Sequence, residues 1–155
     1  MIDIASISAV LAAVGVTVGV VFTVMELRNL VKTRQTDLVV RIHSTVGSKD
    51  FLEAWEKFID REMTDYDSYK KKYGFVELNT LEGFFSGIGV LLRRKLIDIG
   101  LVGDFFSMEV KMYWDKLKPF AQEVRQIRKT PKAYSNIEYL YNEMQKREQQ
   151  IAKIQ

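Results

Sequence analysis

The sequence predicts an all-α protein: an N-terminal transmembrane helix that continues as a stalk into a cytoplasmic helical bundle of about four helices. Three observations predict it. Residues Ile4–Met25 hold no charge, no proline and no amide side chain. After them, apolar residues recur at intervals of three and four, which is the helical period, and no alternating strand pattern of any length interrupts them. The whole chain is 28% charged and 47% apolar, an ordinary balance for a globular fold once the apolar start is set aside. The expected division is 1–26 anchor, 27–46 juxtamembrane stalk and 47–155 bundle.

The anchor comes first. At about 1.5 Å of rise per residue, the segment Ile4–Met25 spans roughly 33 Å, enough for a hydrocarbon core of about 30 Å. A continuous helix satisfies its own backbone N–H and C=O groups, as lipid requires. A cleaved secretory signal would show a basic start, a shorter apolar core and a small-residue exit. Here only Asp3 and the amino terminus are charged ahead of the core, and Glu26 and Arg28 follow it with no Ala-x-Ala pattern. Lys and Arg resist translocation, and none precedes the span, whereas Arg28, Lys32, Arg34 and Arg41 follow it. The expected placement is the cell (inner) membrane, single-pass, with the N-terminus outside and the C-terminal domain cytoplasmic. The absence of cysteine agrees with a reducing compartment.

Ser8, Ala12, Gly15 and Gly19 lie four, three and four residues apart, so they share one face of the span. Gly15-Val-Thr-Val-Gly19 matches the small-xxx-small pattern that lets two backbones approach and gather dispersion contacts. Such pairs also arise by chance, because glycine is frequent in membrane helices. The expected partners are the lipid bilayer and either a second copy of this chain or another membrane protein. Thr17 and Thr23 could line a pore in an oligomer, but each can equally bond its own helix backbone.

Past the span, Leu27, Leu30, Val31, Leu38 and Ile42 keep the helical register, so a stalk is expected to about His43, ended by Gly47 and Ser48. His43 is the single histidine and has no companion ligand or acid in view. Ser48 then serves as N-cap for a helix striped by Phe51, Leu52, Trp55, Phe58 and Ile59, with an acidic outer face that includes Asp50, Glu53, Glu56 and Asp60. Tyr66, Tyr69 and Tyr73 form one face of a short helix closed by Gly74. Aromatics among lysines can stack on bases, but about +4 of net charge beyond Asp3 is too mild to expect nucleic acid.

Asn79-Thr-Leu-Glu82 reads as a capping box that opens the most apolar stretch outside the anchor, running to Gly100. Between Glu82 and Arg93 it is too short to cross a bilayer, and it reads as the central helix of the bundle. Gly83, Gly87 and Gly89 are expected to admit close neighbours there. Asp104 is expected to cap the next helix, with a bend at Pro119. From Lys111 to Lys132 that segment is basic, with only Asp115 and Glu123 as acids, so it is expected to lie near the acidic second helix. Ser135-Asn-Ile-Glu138 reads as a further capping box launching the last helix.

The blocks LEGFFSGIGVLLRRKLID (Leu81–Asp98), YWDKLKPFAQEVR (Tyr113–Arg125) and PKAYSNIEYLY (Pro131–Tyr141), with the N-terminal span, resemble a bacterial and archaeal family of small single-span membrane proteins. That resemblance implies a helical cytoplasmic domain of unknown function and no activity. The residues themselves show no nucleophile–base pair, metal cluster or cofactor fingerprint, so neither an enzyme nor a bound cofactor is expected. The expected function is a membrane-anchored interaction or scaffold protein, self-associating through its span. The alternative is a subunit of a small oligomeric channel or membrane effector gated by its cytoplasmic domain.

Overall fold

A computed structural model describes residues 3–153, with the side chains of residues 4–10 outside that description. All regular structure among the described residues is helical: α1 (Ile4–Val46), α2 (Lys49–Asp60), α3 (Tyr66–Tyr73), α4 (Val76–Arg93), α5 (Ile99–Ile127) and α6 (Ser135–Ala152). The chain forms two units, Met1–Asp37 and Leu38–Gln155.

In the first unit α1 is an isolated helix. Residues 11–34 are all exposed, the uncharged stretch up to Met25 included. Its first four threonines each donate a hydroxyl hydrogen bond to a carbonyl one turn back: Thr17 to Ala13 at 2.8 Å, Thr23 to Gly19 at 2.8 Å, Thr33 to Asn29 at 3.0 Å and Thr36 to Lys32 at 3.1 Å. Alone among the helices of the described residues, α1 is long and apolar enough by itself to cross a membrane.

In the second unit, the last turns of α1 contribute the fully buried Val39, with Leu38, Ile42 and Val46 packed beside it. Helix α4 is the central element, packed on α6 and α2, while α5 packs on α6 and carries α3. The interior is rich in rings. Tyr113 stacks on Phe85 with centroids 4.4 Å apart and meets Phe58 at 4.8 Å, while Phe51 meets Phe84 edge-on at 4.7 Å. Offset and edge-on contacts of this kind add to the burial of large apolar surfaces. A second ring group joins Tyr66, Tyr69, Phe75 and Phe120. No charged side chain is buried among the described residues.

Several helix boundaries follow the sequence reading. The Ser48 hydroxyl accepts from the Phe51 N–H, and Gly74 ends α3 at φ +71°, the left-handed region that costs a side-chain-bearing residue about 1–2 kcal/mol. The chain turns there by 115° into α4. Others differ. Helix α4 starts at Val76, three residues before the expected capping box, and its N-cap Phe75 makes no side-chain cap. It ends at Arg93 rather than Gly100, and α5 is capped by Asp98, whose carboxylate accepts from Gly100 N at 2.8 Å and Leu101 N at 3.4 Å. Asp104 lies inside α5 and pairs with Arg147 instead. Helix α6 begins after Tyr134 at φ +59°, and Glu138 pairs with Arg125 at 2.7 Å rather than closing a capping box.

Of the three glycines of α4, only Gly89 admits a neighbour: a Cβ there would sit 2.2 Å from the Asn136 carbonyl oxygen, whereas at Gly83 or Gly87 it would meet nothing within 4 Å. The expected pairing of the acidic helix with the basic one also differs. Lys57 of α2 and Arg61, which caps its C-terminus, pair with Glu77 of α4, and Glu53 pairs with Lys49 of its own helix. Helices α2 and α5 meet chiefly through rings, with one polar link, from Lys116 Nζ to the Ile59 carbonyl.

Candidate functional site

Three groups of residues could carry a function. The first is the small-residue face of α1. Gly15 and Gly19 stand one turn apart with open space where each Cβ would be, and Ala12 is exposed beside them; the side chain of Ser8 lies outside the described residues. Arg28, Lys32 and Arg34 are exposed farther along the same helix, and Arg41 is exposed in the second unit.

The second group is the ion-pair cluster around Glu77. Its carboxylate accepts from Arg61 at 2.9 Å and from Lys57 at 2.9 Å. The Arg61 hydrogen bond, then that of Lys57, lowers the Glu77 pKa from 4.5 to about 2. Arg61 also lies over the Tyr73 ring, 4.9 Å from its centroid. Such a cluster fixes α2 against α4, and every charge in it is satisfied, which marks it as structural.

The third group lines a cleft of about 260 Å³ whose walls include Tyr66, Phe75, Asn79, Glu82, Arg128 and Tyr134. Helix α3 is placed here by Glu123 of α5, both of whose oxygens accept the Tyr66 N–H, at 3.1 and 3.2 Å. Arg128 lies over the Tyr66 ring, 4.8 Å from its centroid, and donates to the Tyr66 hydroxyl. Glu82 is half-buried, and loss of water around it raises its pKa, an effect the Arg128 charge opposes. Glu82 and Arg128 do not form an ion pair, and among the described residues no hydrogen bond reaches the Glu82 carboxylate. Burial likewise pushes up the phenols of Tyr134 and of the deeply buried Tyr113, whose hydroxyl has no hydrogen-bond partner.

A family described as a domain of unknown function, DUF4760, matches residues 5–144. The chain belongs to the DUF4760 family. The match begins in α1, so the long apolar helix is part of the DUF4760 domain itself. Neither the curated proteins nor the solved structures contain a match to the chain.

In this DUF4760 chain the cleft was hidden from sequence reasoning by the roles its residues resemble. Asn79 and Glu82 spell a capping box, and Arg128 sits in a run of surface cations. The available signal was weaker: Glu82 falls on the same helical face as Leu78 and Phe85, both buried, so its carboxylate had to lie at a core edge. His43, the single histidine, is exposed with its ring edge-on to Phe105 at 5.0 Å. Among the described residues no group of three or more His, Cys, Asp or Glu could hold a metal ion.

Proposed function

We propose that this DUF4760 chain is a membrane-anchored helical interaction protein, held in the inner membrane by α1 and presenting residues 38–155 to the cytoplasm. One observation carries the reading: residues 11–34 of α1, uncharged as far as Met25, are all exposed. In water, apolar surface of that extent is unfavourable at about 25 cal/mol per Å² and calls for lipid or a protein neighbour. The cations after the span orient it by resisting translocation. The open face at Gly15 and Gly19 supports association with a second copy, because nothing within the chain occupies it. The pore-forming alternative has no such support, since the Thr17 and Thr23 hydroxyls donate to their own helix.

Two measurements test this. Membranes carrying the full-length protein are washed at high salt and alkaline pH; retention in the pellet is expected, and release without detergent refutes anchoring. Energy transfer between labelled copies in lipid vesicles should fall when Gly15 and Gly19 are both changed to Leu. Equal transfer in the double variant rejects that face as the contact.

A further inference from the structure

The cleft described above holds two opposite charges that do not neutralise each other. Glu82 offers a carboxylate with no hydrogen bond, partly removed from water, and a buried or half-buried anion left so is costly. Arg128 lines the same cleft, uses one nitrogen on the Tyr66 hydroxyl and stacks on that ring, which leaves guanidinium N–H groups over. Rings of Tyr66, Phe75 and Tyr134 supply faces that attract an ammonium group. The volume of about 260 Å³ equals about nine water molecules at about 30 Å³ each, the scale of a small metabolite rather than of a peptide or a nucleotide.

The wall itself is held under tension. Thr130 and Ala133 line the cleft, and the link that carries them is bracketed by Lys129 at φ +51° and Tyr134 at φ +59°. Side-chain-bearing residues in that region cost about 1–2 kcal/mol each. Two of them around one short link show that the surrounding packing dictates its path. Arg125 clamps the link from below, donating from Nε to the Ala133 carbonyl at 2.9 Å while pairing with Glu138. The cleft is therefore a built feature with fixed walls.

From this arrangement we propose that the cleft binds a small zwitterion of the α-amino-acid class, with its ammonium on Glu82 and the ring faces and its carboxylate on Arg128. A ligand with both charges satisfies both protein groups, whereas a simple cation leaves Arg128 beside it and a simple anion leaves Glu82. Bidentate carboxylate binding suits the planar guanidinium. Asn79, with both donors and an acceptor, lines the same cleft and can serve either end of the ligand.

The test is calorimetric titration of the full-length protein in detergent with each of the proteinogenic amino acids, then with the methyl ester and the N-acetyl derivative of any that binds. At least one amino acid should bind, and each derivative, lacking one of the two charges, should bind at least about tenfold more weakly. Glu82→Gln and Arg128→Gln should each weaken binding by a similar factor with an unchanged circular dichroism spectrum. The proposal is overturned if no amino acid binds, if the derivatives bind as well as their parents, or if both folded variants bind as the unaltered protein does. The derivative comparison uses the unaltered chain, so it decides the matter even where a variant does not fold.

Discussion

Gly83, Gly87 and Gly89 sit in one helix, and the structure assigns them opposite responses to a single added methyl group. At Gly89 the new Cβ would lie 2.2 Å from the Asn136 carbonyl oxygen, 2.8 Å from its carbonyl carbon and 3.3 Å from its Cβ. The first two atoms are backbone of α6, so no rotamer can relieve the contact. Restoring an ordinary separation of about 3.5 Å requires α4 and α6 to part locally by about 1 Å, and a gap of that size forfeits a quarter to a half of each dispersion contact across it. Overpacking of this kind costs about 1–3 kcal/mol, partly offset by the roughly 1 kcal/mol that alanine gains over glycine in a helix. Gly89→Ala should therefore destabilise by up to about 2 kcal/mol. At Gly83 and Gly87 a Cβ meets nothing within 4 Å, so alanine there should stabilise by about 0.5–1 kcal/mol. Urea unfolding of the full chain in detergent, followed by the fluorescence of Trp55 and Trp114, reads all three as midpoint shifts at constant slope. If Gly89→Ala proves as stable as the other two, the close approach of α4 to α6 is wrong.

Other outcomes follow from the polar groups. The Glu77 pKa is held at about 2 against an ordinary 4.5, so its contribution is complete above about pH 5 and is lost as the pH falls toward 2. The full difference corresponds to about 3 kcal/mol, and with Lys57 half exposed about 1–2 kcal/mol survives screening. Glu77→Gln should lose that amount at neutral pH and flatten the stability profile between pH 5 and 2; an unchanged profile counts against the cluster. Asp98→Ala should cost about 1 kcal/mol through loss of the α5 cap, and Asp104→Ala less, since its pair with Arg147 is exposed on the Asp104 side. Comparing their melting temperatures checks which aspartate starts the helix. Exchanging both Glu53 and Glu56 for Lys should change stability by no more than about 0.5–1 kcal/mol at low or high salt, because Glu53 pairs only with Lys49, itself exposed, and no ion pair involves Glu56. A loss that grows at low salt would instead point to the basic helix as a partner.

The all-helical class, the apolar stripes and most of the interior were legible from periodicity alone, although five helices follow α1 where about four were expected. Phe51, Phe58, Leu81, Phe85, Leu117, Phe120, Ile137 and Leu140 all recur at helical spacing and all are buried. The short α3, with Tyr69 buried, was legible for the same reason. Helix starts were less so, because a capping motif is a local pattern whose side chains tertiary partners can claim. Glu138 is taken by Arg125, Asp104 by Arg147, and Glu82 by the edge of a cleft. Glu82 and Asp104 lie inside helices that begin earlier, at Val76 and Ile99, and only Glu138 near a helix start is claimed by another partner. The cleft itself joins residues more than forty positions apart, from Glu82 to Arg128, and no local pattern encodes such a meeting.

The first four threonines of α1 have a consequence for whatever that helix meets. Each hydroxyl is already answered by its own carbonyl one turn earlier, so none of the four solicits a polar counterpart. If the proposed association takes place at Gly15 and Gly19, girth would decide it: a neighbour would be accepted or refused by how slim it is there, with little regard to its chemistry. Bulk introduced on that flank should be felt where an equally large polar-to-apolar exchange at Thr17 or Thr23 is not.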